Sequence, residues 1–189
     1  MSYQEPALHI GECAYRHGGG RVDGEYVPLL GEQYYRIHNY DRMDPFFMSI
    51  VSSSDHWLFI SSTGGLTCGR RNADSALFPC DTDDKIAASS GQTGPKAVLR
   101  VTKNRRTYLW EPFSGTYAGI CQVERNLYKN VYGDKLVFEE TNRDLGLTYR
   151  YAWRTSDRYG FVKTAWLKDE SGDGCSPLGL RPPGRTAWP

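Results

Sequence analysis

Residues 56–86, HWLFISSTGGLTCGRRNADSALFPCDTDDKI, bring together side-chain types that do chemistry elsewhere: adjacent arginines, a cysteine pair and an aspartate cluster. Arg70 and Arg71, with Asn72 beside them, present planar donor forks that match a carboxylate or a phosphate. The same forks serve equally to pair with Asp74, Asp81 or Asp83. Asp81, Asp83 and Asp84 offer oxygens of the kind a hard cation takes, but D-x-D-D lacks the glycine and distal glutamate of an EF-hand loop. The other reading of that run is a helix or strand start with solvated carboxylates. Arg70, Arg71, Asn72, Asp81, Asp83 and Asp84 are therefore candidates for a contact surface, and no metal site is expected of them.

Glycoside cleavage needs two carboxyls facing one another across a sugar, and Glu111, Glu139 and Glu140 are the residues to weigh for it. Neighbouring residues of a strand point to opposite faces, so Glu139 and Glu140 cannot form that pair together. The four histidines, His9, His17, His38 and His56, show no ligand spacing. G-x-S-x-G, H-E-x-x-H and P-loop patterns are absent from the sequence. No catalytic residue, no metal and no cofactor is expected. Aromatic residues at alternate positions, Tyr149, Tyr151 and Trp153, with Tyr108 and Trp110 upstream, could stack on sugar rings, Trp110 and Trp153 foremost. The same stripe is also what the core face of a sandwich looks like.

The elements that would carry these residues follow a period of two. GLTYRYAWR places Leu147, Tyr149, Tyr151 and Trp153 on one side and Thr148, Arg150 and Arg154 on the other, a half-buried antiparallel strand. YGFVKTAWL follows after the turn residues TSDRYG. QVERNLYKNVY and KLVFEE flank Gly133-Asp134, so residues 122–168 form a four-stranded meander. AVLRVT with RTYLWEP makes one hairpin, and DPFFMSIVSS with HWLFISS another. No run of ten or more residues has a helical period. The class is all-β, about eight to ten strands in an antiparallel β-sandwich rather than a closed barrel. Residues 62–96 read as one long irregular connection, unusual in a compact domain and of the kind that tends to carry function.

The chain has 189 residues with 23 basic and 22 acidic side chains, a net charge of +1 and a mean hydropathy of −0.58. That balance provides no global field for nucleic acid or an anionic membrane, and neither is expected as a partner. The N-terminus has no signal-peptide h-region, and no 18-residue apolar run occurs, so a cytoplasmic protein is expected. Cys13, Cys68, Cys80, Cys121 and Cys175 form no C-x-x-C pair. Cys68 and Cys80 could bridge only in an oxidising compartment.

Two stretches, FISSTGGLTCGRRNADSALFPCDTDDKI and ERNLYKNVYGDKLVFEETNRDLGLTYRYAWRTSDRYGFVKTAWLKDES, resemble the N-terminal β-sandwich of large carbohydrate-active enzymes of the glycoside hydrolase and phosphorylase type. These are the cellobiose phosphorylase-like and glucoamylase-like proteins that join a galactose mutarotase-like super-sandwich to an (α/α)6 barrel. The resemblance covers about residues 35–171. It implies a non-catalytic sandwich supporting a helical barrel, with catalytic acids in that barrel and loop 62–86 facing it; no catalytic residue carries over to a position here. A free-standing carbohydrate-binding sandwich, with an oligosaccharide as partner, is the alternative. The division expected is an N-terminal extension with the first strand or strands over 1–34, a sandwich, possibly incomplete, over 35–170, and a Pro/Gly/Arg-rich tail over 171–189. That tail reads as a flexible end or a frame-shifted truncation, and a truncated sandwich would self-associate through its exposed edges.

Overall fold

The alternation from residue 122 onward becomes the centre of a six-stranded antiparallel sheet. A computed structural model describes residues 8–10, 13–16, 20–78, 80–94, 96–103, 105–116 and 118–170. Strands β10 (Val123–Asn130), β11 (Lys135–Asn142), β12 (Leu147–Ser156) and β13 (Gly160–Asp169) pair consecutively, as the meander requires. A hairpin of β3 (Asp23–Leu29) and β4 (Glu32–His38) extends the sheet, β4 pairing with β10. Its two-residue turn, Leu30-Gly31, takes φ of 51° and 80°, the positive values a tight hairpin turn needs. The expected boundary at 34/35 falls inside β4, so this hairpin belongs to the same sheet as the meander.

Register and pleat sort the side chains of this sheet onto two faces. Arg125, Leu127, Leu136, Phe138, Glu140, Tyr149, Tyr151 and Trp153 share one; Asn126, Tyr128, Val137, Glu139, Thr141, Thr148, Arg150 and Ala152 share the other. The first face is covered by a three-stranded sheet, β5 (Phe47–Ile50), β6 (His56–Ser61) and β7 (Leu66–Arg70), and by the hairpin β8 (Leu99–Lys103) and β9 (Arg106–Trp110). Leu58, Ile60, Leu66, Leu99, Val101 and Trp110 meet Leu127, Leu136, Phe138 and Tyr151 in one core. The rings pack at defined angles, with Phe138 stacked on Tyr151 at 4.8 Å and Tyr40 edge-on to Phe138 at 5.9 Å. The second face has a smaller cluster, Tyr34, Tyr128, Val137 and Ala152, built from the sheet's own strands. The fold is all-β, antiparallel and sandwich-like, without a closed barrel. Two short strands, β1 (His9–Ile10) and β2 (Cys13–Ala14), pair with each other near the N-terminus.

Residues 62–96 are more regular than their composition predicts. β7 lies inside them, buried at Leu66, Thr67, Cys68 and Gly69. Period two is faint there because the outward positions, Thr67 and Gly69, are small and uncharged; the segment around Ala76 runs alongside β7 and bridges to it at Gly69. Leu77 N donates to Cys68 O at 2.8 Å, and Thr67 Oγ1 to Phe78 O at 3.3 Å. A six-residue helix, α1 (Asp83–Ala88), follows and seats Ile86 in the interior. It passes so close to β7 that a Cβ at Gly65 would lie 1.9 Å from the Ile86 carbonyl oxygen. Cys68 is buried, Cys80 is exposed and both are free; burial pushes the Cys68 thiol up to about 12. No helix among the described residues is long and apolar enough to cross a membrane. The tail 171–189, with Cys175, lies outside the described residues, as does His17.

Candidate functional site

The arginine pair is turned on its own strand end. Arg70 and Arg71 both reach Asp55, at 3.6 and 3.3 Å, and Arg71 N donates to Asp55 O at 2.7 Å. The partner is thus Asp55 and not one of the three aspartates weighed from sequence. Asn72 leads into a 3-10 turn, its carbonyl accepting from Ser75 N at 3.2 Å. Asp81 accepts from Lys85 Nζ at 2.9 Å and from the Thr82 amide at 3.0 Å; these bonds hold its carboxyl below the usual range. Asp83 accepts from the Asp84 amide at 3.0 Å. Among the described residues no three His, Cys, Asp or Glu side chains converge on one metal position.

Glu139 and Glu140 stand on opposite faces, as adjacent strand residues must, and both are buried. Glu140 Oε1 accepts from Trp110 Nε1 at 2.9 Å; Oε2 accepts from Phe113 N at 2.6 Å and Arg125 Nε at 2.8 Å. Burial works against the Arg125 charge, yet Glu140 beside it holds the guanidinium above its ordinary value. Arg125 Nη2 also donates to Ser114 O at 2.8 Å, so the pair ties the 111–114 loop to the sheet. Phe113 has a φ of 65°, a strained value for a bulky residue, and is held there by that bond and by ring contacts to Phe138 and Tyr151. On the other face Glu139 accepts from Asn126 Nδ2 at 2.7 Å, from Tyr128 OH at 2.8 Å and from Arg150 Nε. Each carboxylate is saturated with donors and charge-paired, which suits a structural tie better than proton transfer.

Above Glu140 opens a cleft of about 1100 Å³, bounded by β9, β10, the β11–β12 turn and the N-terminal segment. Its charged rim pairs internally, Arg16 with Asp144 at 2.7 Å and Arg143 with Glu124 at 2.5 Å. Asp144 also accepts from the Gln122 amide at 2.8 Å, and Arg16 N donates to Gly119 O at 2.7 Å. The wall closes because Gly119, at φ 78°, leaves room for the Tyr15 ring, which a Cβ there would meet at 1.9 Å.

The two rings singled out for sugar stacking both face inward. Trp110 is 4% exposed with its indole N–H on Glu140, and Trp153 packs against the main core. The pattern behind this is the core face of a sandwich, where Tyr149 and Tyr151 also lie. A row of outward rings stands on the outer face of the three-stranded sheet. Phe47 and Phe59 are 38% and 37% exposed, their rings 5.7 Å apart and inclined by 15°. Trp57 continues the row 5.8 Å from Phe59. Trp57 lies on the backbone of Gly69, where a Cβ would come within 2.5 Å of its ring. The signal for this ridge is in HWLFIS, whose inward Leu58 and Ile60 leave Trp57 and Phe59 outward; it is read only once the two faces are told apart. No known family model matches the chain, and no curated protein is detectably similar to it in sequence.

Proposed function

We propose that the chain is a non-catalytic β-sandwich of the carbohydrate-active kind and that it takes a glycan on the ridge Phe47–Phe59–Trp57. The observation that carries this reading is the ridge itself: three rings in a row on an outer sheet face, at 5.7 and 5.8 Å spacing, the indole held by contact with Gly69. Sugar rings present C–H faces that pack on aromatic planes, and rings fixed beforehand lose little entropy on binding. Saturation of Glu139 and Glu140 supports binding without turnover.

The test is a glycan array followed by calorimetry on the strongest ligand. Trp57→Ala is expected to weaken binding at least tenfold, about 1.4 kcal/mol, and Phe59→Ala somewhat less, while exposed Tyr159→Ala leaves it unchanged. Neither hydrolysis nor phosphorolysis of glucosides is expected. A panel without a ligand, or a ligand indifferent to Trp57, overturns the reading.

A further inference from the structure

The second face of the six-stranded sheet carries many charges, and most of them are matched. Arg36 pairs with Glu25, Lys135 with Glu32, Arg150 with Glu139 and Lys168 with Glu170. Arg154 is different. It stands directly opposite Lys135 in the β11–β12 register, and like charges set opposite one another are destabilising. Glu32 answers Lys135, but no carboxylate pairs with Arg154 among the described residues. Bonds from Lys135 and then Asn130 hold the Glu32 carboxyl below its usual range, so that pair stays ionised and closed on itself.

Arg154 borders a cavity of about 210 Å³ on this face, with Trp166 of β13, Ala152 of β12 and Tyr34 of β4 among its walls. Trp166 is 38% exposed, although Tyr34 and Ala152 beside the same cavity are buried. Tyr34 is 1% exposed, and burial followed by the Glu32 charge holds its phenol above the ordinary range. Its hydroxyl has no hydrogen-bond partner among the described residues. A buried hydroxyl left so is costly; on a cavity wall it is available to a ligand. The volume lies below the roughly 300–1,000 Å³ of sites for drug-sized molecules, so a single ring fits and a chain does not.

We infer that this cavity binds a hexuronate, a single sugar ring that bears a carboxylate. The unpaired Arg154 guanidinium offers parallel N–H donors in the geometry a carboxylate accepts. The Trp166 plane takes the C–H face of a pyranose. Tyr34 decides between a sugar and an aryl carboxylate of similar size. An aromatic ring would cut its hydroxyl off from water and give it no partner, whereas sugar hydroxyls both donate and accept. Thr164, on the same cavity, adds a second hydroxyl. Glu32 is already neutralised by Lys135 and does not repel the ligand as a free carboxylate would. The cavity shares no residue with the Phe47–Phe59–Trp57 ridge, which lies on the other sheet, so either site can fail alone.

The full chain, isotope-labelled for NMR, is titrated with sodium glucuronate and sodium galacturonate while the indole N–H resonances are followed. The Trp166 resonance is expected to shift saturably with at least one of the two. Glucose and benzoate are expected to bind at least tenfold more weakly than that uronate. Arg154→Met should weaken uronate binding at least tenfold, and Arg154→Lys by less, since a point charge replaces the fork. Arg158→Met, in the β12–β13 turn, should change nothing. Arg154 is exposed, so these substitutions leave the core intact. No saturable shift of Trp166 with either uronate, benzoate or glucose binding as tightly, or binding indifferent to Arg154 overturns the inference. A shift confined to Trp57 also overturns it and leaves the ridge standing.

Discussion

Glu139 and Glu140 are one residue apart and do different work. Glu140 is satisfied by Trp110 of β9, the Phe113 amide of a loop and Arg125 of β10, and so joins two layers of the sandwich. Glu139 is satisfied by Asn126 and Tyr128 of β10 and Arg150 of β12, all within its own sheet. The arginines differ as well: the Arg125 side chain is 17% exposed and that of Arg150 33%. A carboxylate on the covered face is therefore a tertiary fastener, and one on the open face a cross-strand brace. The same residue type, saturated in the same way, is worth different amounts because of what its loss would strand.

The largest effect that tests this contrast is expected from Glu140→Ala. It leaves the Arg125 charge and two N–H donors buried without a partner, and urea unfolding should show a loss of about 3–5 kcal/mol. Replacing Arg125 and Glu140 together by Met and Leu should recover most of it, since an apolar pair of similar bulk removes the uncompensated charge. Glu139→Ala is expected to cost less, about 1–3 kcal/mol, because Arg150 can turn toward water. Equal losses at the two positions would erase the distinction. The smallest effect belongs to the cleft rim, where Arg143→Ala breaks an exposed pair with Glu124 and should cost at most about 1 kcal/mol. The pH dependence sharpens the picture from another side. Lys163 is held below its unfolded-state value, so the folded chain is penalised while that amine is charged. Stability from this group should rise as pH passes from about 8 toward the ordinary lysine range, and Lys163→Met should flatten that rise in pH-dependent melts.

How legible the molecule was depends on whether a feature rests on neighbours in sequence. The meander over 122–168 and both hairpins follow from alternation interrupted by turn residues, and each pairs in the structure with its sequence neighbour. β7 is hard to read in the sequence because Gly69 has no side chain and Thr67 is small, so no charged or long polar residue marks the outward face; Trp57 and Ser75 lie against Gly69, and Thr67 bonds Phe78 O. Trp110 and Trp153 were visible as aromatic residues on strands, but their direction was not. An aromatic stripe has the same spelling whether it faces a core or a ligand, and only the layer stacked upon it decides. Phe47, Phe59 and Trp57 are the converse case, rings left outward because Leu58 and Ile60 take the interior.

From sequence alone came the all-β class, the antiparallel pairing of the meander and the separation of Glu139 from Glu140, all consequences of a backbone whose side chains alternate. Tertiary structure alone decided that Glu140 meets Trp110 across 30 residues and Phe113 across 27, that Arg70 and Arg71 close on Asp55, and which rings remain outside. Such contacts depend on how layers stack, and stacking follows from the summed burial of many side chains, which no local pattern records.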